Sequence, residues 1–526
     1  MQSRSFRILA LTALALSFAL VGGTARNAAA TLPSGNTVQQ WDEIAANTVV
    51  SSGAFGNEGL QYMAYVSAAI YDAVTSIEGG YQPYGPAVAG AAGASSDAAV
   101  VEAACATLTH YFPAPRAAGS PDLANLCPEA LGLIADGTAK THGIAVGDQA
   151  AHDVIFTLRS GDGLQTPIGS TSALPPLAVG PGVWRLTPPA SGPYLAPQTP
   201  WVGSMRPYIL QSADQFLPDP PPSLSSQEWV DAFNQIKALG SAGSTARTAD
   251  ETATGRFYGY NVILQYNWAL RDLATSHALS LLETARLMAM VSIVGADAQI
   301  AVMNAKYHYR FWRPVTAIDP TSVEPGGDLF GPAPGVSDGN PATVEEANWR
   351  PLLITPNHPE YPAAHGSFTS AMAEVFTEFL GGPTNFDLTL HGSATGGGLN
   401  SAAPPRTFTA PNDLRAEIIN ARLWAGLHYH FSGVAGVVLG RKVAKYDLRH
   451  AFQPVGEHNK PVGNATQSAV ETIGPAAEAS QLTGETSQPA LETNESAAET
   501  TQAVGKGNRP ADKGNDKGHH AADKGK

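Results

Sequence analysis

The stretch that most limits the fold is residues 277–312, where Leu281, Ala285, Met288, Ile293, Ala296, Ile300 and Asn304 recur at helical spacing and most positions between them are apolar too. A helix that is apolar on nearly every face has to be covered all round, so this one predicts the centre of a helical bundle. Midway along it stands Asp297, which is either at a surface position or supports a buried Arg or Lys, because a carboxylate buried without a partner is costly. The stretch closes on Lys306-Tyr-His-Tyr-Arg-Phe-Trp-Arg313-Pro314. Lys306 and Arg313 are seven residues apart, about two helical turns, and so fall nearly on one face. Two cations on one face call for an anion, and an oxyanion such as phosphate suits an Arg fork beside a Lys point charge. Pro314 is expected to end the helix, since the residue before a proline is pushed out of the helical region.

The rest of the chain repeats the helical pattern. Residues 38–77 read as two antiparallel helices broken by a Gly/Asn cluster, and 95–111, 121–135 and 139–158 as Ala-rich helices between Pro and Gly breaks. Residues 227–239, 255–273, 367–380, 412–427 and 434–449 add further helices, and no segment alternates convincingly as a strand. The expected fold class is therefore all-α: two packed helical bundles forming one compact unit, with long Pro/Gly-rich loops. One such loop covers residues 161–225 and carries Trp184, Tyr194 and Trp201, which suit a segment packed on a surface; a connection between lobes and an active-site cover both remain open.

The domain limits follow from composition. Residues 1–30 resemble a signal peptide, with Arg4 and Arg7, a short apolar run over 8–21 and Ala28-Ala29-Ala30 as the cleavage site. The run is short for a membrane span, so export to a secreted, periplasmic or other extracytoplasmic location is expected, with an uncleaved anchor as the alternative and no other span along the chain. Residues 31–225 form an N-terminal helical region ending in the Pro-rich loop, 226–454 a C-terminal bundle, and 455–526 a low-complexity tail expected to be disordered. Export would allow Cys105 and Cys127, the only cysteines, to pair, although two reduced buried thiols are equally compatible with the sequence. The net charge of -14 argues against a nucleic-acid partner, so any anion must be drawn by a local cluster of cations.

Three segments supply such a cluster: Lys306, Arg313 and Pro314; then Pro362-Ala363-Ala364-His365; then Arg422 and, six residues on, His428. An isolated His at a helix start is most often a cap or a surface residue, but the order and spacing here make a pattern. Lys-x6-Arg-Pro, Pro-x-x-His and Arg-x5-His together resemble the signature of the superfamily that unites vanadium-dependent haloperoxidases with type 2 phosphatidic acid phosphatases and bacterial acid phosphatases. The resemblance implies that Lys306, Arg313, Arg422 and the Ala364 amide hold the equatorial oxygens of a bound vanadate or phosphate. It also implies that His428 bonds the central atom, as vanadium's protein ligand or as the phosphatase nucleophile, and that His365 is the acid/base residue. His358, seven residues before His365, takes the position near the halide site where algal bromoperoxidases also have His.

Three departures bear on turnover. Ala363-Ala364 stands where the family commonly has Ser-Gly, Ala421 where it often has Ser, and Ser432 where it often has an Asp four residues after the axial His. Arg422 and His428 also cannot share a face of a straight helix, because six residues turn through about 600°; the helix is expected to end or bend near Gly426.

The leading expectation is a vanadate-dependent haloperoxidase that uses hydrogen peroxide to oxidise a halide, bromide in preference, for transfer to a small organic acceptor. An acid phosphatase with a phosphohistidine at His428 is the alternative from the same pocket, and a non-catalytic oxyanion-binding or surface protein is the third reading. Self-association as a homo-oligomer is left open, and His428-Tyr-His430 would hold a transition metal only if that segment were a strand.

Overall fold

Local sequence signals start most of the helices. In a computed structural model, which describes residues 32–115, 117, 119–171, 180–187, 197–319, 337–397 and 402–455, Asn36 and Gln39 form a capping box at the head of α1 (Thr37–Ser51). A Gly/Phe turn leads into α2 (Gly56–Glu78), and α3 (Ser96–Tyr111), α4 (Leu123–Gly132) and α5 (Thr138–His152) follow. The disulfide between Cys105 and Cys127 joins α3 to α4. After the Pro-rich loop come α6 (Gln227–Leu239), α7 (Ala249–Phe257) and α8 (Val262–Ser276), so the single helix expected over 255–273 is two, broken where Asn261 caps α8. Ser280 and Glu283 form another capping box and open the long helix α9 (Leu281–Tyr309). The short helix α10 (Pro314–Ile318) is followed by α11 (Ala364–Phe379), α12 (Pro411–Trp424) and α13 (His430–His450). Where no strand was expected, β1 (Leu388–Leu390) and β2 (Arg406–Phe408) pair antiparallel with Thr389 opposite Thr407.

The all-α expectation holds, and α9 occupies the predicted centre. It packs against α2 on one side and against α11 and α13 on the other, and Met288, Ile293, Ala296 and Ile300 have no exposed surface. Each large apolar side chain buried in this way contributes about 1.5–3 kcal/mol, which is why an almost uniformly apolar helix is stable only here. Asp297 is fully buried, not at a surface: its carboxylate accepts the backbone N–H groups of Tyr208, Ile209 and Leu210 at 2.6, 2.8 and 3.0 Å, and buried Arg159 is near enough to favour its charge. The acid thus ties the Pro-rich loop to the core helix. The described parts of that loop pack closely elsewhere too, with Trp184 and Trp201 buried and the Asn304 amide donating to the Gly203 carbonyl. Tyr194, residues 1–30 with their expected signal peptide, and the tail beyond Val455 lie outside the described residues.

α11 and α13 approach until backbone meets backbone. A Cβ at Gly436 would come within 2.3 Å of the Ala363 carbonyl oxygen, and one at Gly440 within 1.8 Å of the Ser367 oxygen. Only glycine allows this approach, and it sets the start of α11 against α13.

Candidate functional site

Lys306 comes from the last turn of α9. It is fully buried, and its ammonium donates to the carbonyl oxygens of Pro359 and Glu360 at 2.9 and 2.8 Å. Arg313 does not share its helical face, contrary to the reading of residues 306–313 as one helix. α9 stops at Tyr309 because Arg310 turns left-handed, at φ 50°, and returns its N–H to the Lys306 carbonyl at 2.8 Å. The chain then runs extended: the N–H of Trp312 donates to the Gly182 oxygen and that of Trp184 to the Arg310 oxygen, while Phe311 and Trp312 enter an aromatic cluster with Trp229 and Tyr429. Arg313 lies just ahead of α10, and Pro314 is that helix's first residue, where its missing N–H costs nothing.

From there Arg313 reaches His358, ahead of the second motif segment, and the chain that ends in His428. Nε donates to the His358 carbonyl at 2.9 Å, Nη1 to the Leu427 carbonyl at 2.8 Å, Nη1 lies 3.2 Å from His428 Nε2, and Nη2 lies 3.0 Å from His358 Nδ1. His358, the halide-site candidate, is therefore buried against a cation of the cluster.

Ala364 opens α11, and Ala363 before it offers no side-chain cap, so the first-turn N–H groups of that helix have no intrahelical acceptor. His365 is partly exposed and makes no hydrogen bond among the described residues, which leaves its ring nitrogens for a ligand. Arg422 is in the last turn of α12, with Nη1 donating to the Tyr258 carbonyl at 3.1 Å and a buried Nε that has no partner among the described residues. α12 ends at Trp424, Gly426 takes φ 76°, and the N–H groups of Leu427 and His428 both return to the Arg422 carbonyl. The chain thus breaks at the glycine where the six-residue spacing required it, and His428 turns back toward Arg313.

Sequence reasoning missed Glu360. Its Oε1 is 2.9 Å from His428 Nδ1 and accepts the Tyr429 N–H at 3.1 Å, and the residue is fully buried. A signal was present: Glu360 is the only carboxylate between Glu346 and Glu374, two residues from His358.

The electrostatics of this cluster are unbalanced. Burial lowers Lys306 well below the usual lysine value, neighbouring Arg313 and Arg422 lower it further, and Glu360 opposes them. Burial brings Arg313 down to about 10, and burial followed by Arg313 brings Arg422 down to about 9. Burial pushes Glu360 up to about 7, against the pull of Lys306 and Arg313. His358, His365 and His428 are all held well below the ordinary imidazole value, first by burial and then by the cations, so all three are neutral near pH 7. Among the described residues three buried cations face one buried carboxylate, with an unpartnered Arg422 Nε and an uncapped helix start beside them. Such a donor set fits a bound oxyanion, vanadate included, because an anion would offset the excess charge and accept the unused N–H groups.

Comparison with known proteins gives the same direction. Residues 286–457 match the family described as the VCPO second helical-bundle domain. Over 264 residues the chain is 26% identical to the vanadium chloroperoxidase of Curvularia inaequalis, a match spanning 44% of this chain and 42% of that enzyme. Among solved structures, a bacterial vanadium-dependent iodoperoxidase superposes with a TM-score of 0.60 at 18% identity, covering 81% of this chain and 100% of its own. The holo form of a bacterial vanadium-dependent chloroperoxidase gives a TM-score of 0.60 at 16% identity, over 80% of this chain and 99% of that one. At these identities the superpositions establish the shared helical fold.

Proposed function

We propose, from the match of residues 286–457 to the VCPO second helical-bundle domain, that this chain is a vanadate-dependent haloperoxidase. The observation that carries the reading is the excess, among the described residues, of three buried cations over one carboxylate around His428. Lys306, Arg313, Arg422 and the Ala364 N–H would hold the oxygens of vanadate, and His428 would ligate it. Vanadate bound there supplies Lewis-acid activation of hydrogen peroxide for two-electron oxidation of a halide.

The chain's own residues do the rest. The cations bind and orient the oxyanion in a site where water is scarce and each charge therefore acts strongly. His365, neutral and without a hydrogen-bond partner among the described residues, accepts a proton from hydrogen peroxide at a ring nitrogen and returns it to the departing oxygen. His358, packed on Arg313, supports bromide as the preferred halide, with a small organic molecule as the final acceptor. An extracytoplasmic location accords with the Cys105–Cys127 bond, since disulfides persist in oxidising compartments.

The test is bromination of phenol red by purified protein with bromide and hydrogen peroxide, with and without vanadate, beside hydrolysis of p-nitrophenyl phosphate. Vanadate-dependent bromination that is lost in His428→Ala is expected. Phosphate release blocked by vanadate would replace the proposal with the phosphatase reading. Vanadate binding without either activity would leave an oxyanion-binding protein.

A further inference from the structure

The two ring nitrogens of His428 have different neighbours, and together these determine where its proton sits. Nε2 faces Arg313 Nη1 at 3.2 Å, and a guanidinium can only donate, so Nε2 is an acceptor carrying a lone pair. The ring proton is then on Nδ1, which lies 2.9 Å from Glu360 Oε1. Glu360 is held from several sides. It also accepts the Tyr429 N–H at 3.1 Å, the Glu360 N–H donates to the Phe311 carbonyl at 2.9 Å, and the Glu360 carbonyl accepts from Lys306 Nζ at 2.8 Å. One residue thus joins the segment after α9, its own segment and the segment before α13. Ser432, where the family pattern often has a carboxylate, lies in the first turn of α13 beside the same Glu360 side chain.

We propose that Glu360 is the positioning residue of the pocket: it fixes His428 as the Nδ1–H tautomer and aims the Nε2 lone pair at the central atom of a bound oxyanion. It supplies, from two residues ahead of the second motif segment, the orienting carboxylate that position 432 lacks. The proposal rests on the reading of His428 as the axial group. A ligating imidazole whose other nitrogen is hydrogen-bonded to a carboxylate is fixed in orientation and made a better electron donor, and loss of such a partner typically costs about 10- to 100-fold in affinity.

The test separates positioning from charge. Nitrogen-15 NMR of histidine-labelled protein without vanadate, with His428 identified by its loss in His428→Ala, is expected to show protonated Nδ1 and unprotonated Nε2. The reverse tautomer in the unmodified protein would overturn the proposal without recourse to any variant. Calorimetric binding of vanadate and of sulfate, a tetrahedral anion that does not take an imidazole ligand, is then compared in Glu360→Ala and Glu360→Gln at one fixed pH. Glu360→Ala is expected to lose vanadate affinity by about 10- to 100-fold while sulfate binding is unchanged or tighter, because a buried negative charge has gone. Glu360→Gln keeps an oxygen acceptor and is expected to recover most of the vanadate affinity. Parallel changes for both anions would reduce Glu360 to a charge effect and overturn the proposal. Failure of the reading beneath it has a different signature: His428→Ala would bind vanadate as tightly as the unmodified protein.

Discussion

Arg313 Nη1 lies 3.2 Å from His428 Nε2, so a cation of the cluster holds the nitrogen expected to ligate an oxyanion. A bound anion has to draw that guanidinium onto its own oxygens, replacing one contact with charge-assisted hydrogen bonds. Arg313→Ala is therefore expected to lower vanadate affinity by about ten- to a hundredfold, the equivalent of one or two such bonds. Arg313→Lys should recover only part of it, because an ammonium cannot reproduce the planar fork that reaches the His358 carbonyl and the Leu427 carbonyl together. Calorimetric titration, with thermal unfolding to confirm the fold, decides the matter; a Lys variant that binds like the unmodified protein would show that only the charge counts.

Ala363 is the N-cap of α11 and leaves that helix start without a side-chain acceptor. Ala363→Ser restores a hydroxyl with two openings: it can cap α11, worth about 1 kcal/mol of stability, or bond a bound oxyanion, worth about 1.5 kcal/mol or roughly tenfold in affinity. The first raises the melting temperature without any anion, and the second tightens vanadate binding. At least one increase is expected. If neither moved, the Ser absent from this motif would not account for any weakness of the site.

Much of this was legible in the sequence because it rests on local pattern. The apolar run through Met288 and Ile300 required a central helix, and Gly426 was the one position where the chain between Arg422 and His428 could turn. What escaped depends on contacts distant in sequence. Nothing local to Tyr309 announces that Arg310 turns left-handed, because the halt is completed by Gly182 and Trp184, more than a hundred residues earlier. Glu360 could be noticed as a lone carboxylate, but its role depends on His428, 68 residues away, and Asp297 finds its partners 87 to 89 residues earlier.

Asp297 is the chief anchor of residues 208–210 on α9. Replacing it with Ala leaves the N–H groups of Tyr208, Ile209 and Leu210 without their acceptor inside the protein, and each such loss costs about 1–3 kcal/mol. Asp297→Ala is thus expected to destabilise the fold by about 3 kcal/mol or more, and Asp297→Asn by less, since one carbonyl oxygen remains. Urea unfolding measures this directly. A cost below about 1 kcal/mol for the Ala variant would mean that the loop is held by its apolar contacts instead.

The same charge imbalance that invites an oxyanion makes its binding depend on pH in a definite direction. In the free site burial holds Glu360 up at about 7, Arg422 down at about 9 and Arg313 down at about 10. A bound anion disfavours the ionised carboxylate and favours the charged cations, so every one of these values rises on binding. The bound state therefore holds more protons than the free state, and linkage requires affinity to increase as pH falls. Glu360 titrates in the accessible range, and Lys306, which burial also holds well below its usual value, acts in the same direction. Above about 7 the negative charge of Glu360 opposes the anion, and below that it is neutral, so affinity gains up to about one log unit per pH unit across that window. Sulfate is the suitable probe because it stays doubly charged throughout. Calorimetry between pH 8 and 6, about one unit either side of this value, should show sulfate tightening with proton uptake, and Glu360→Gln should flatten the dependence. Affinity that weakens as pH falls would mean that the buried carboxylate and cations are not the groups that meet the anion.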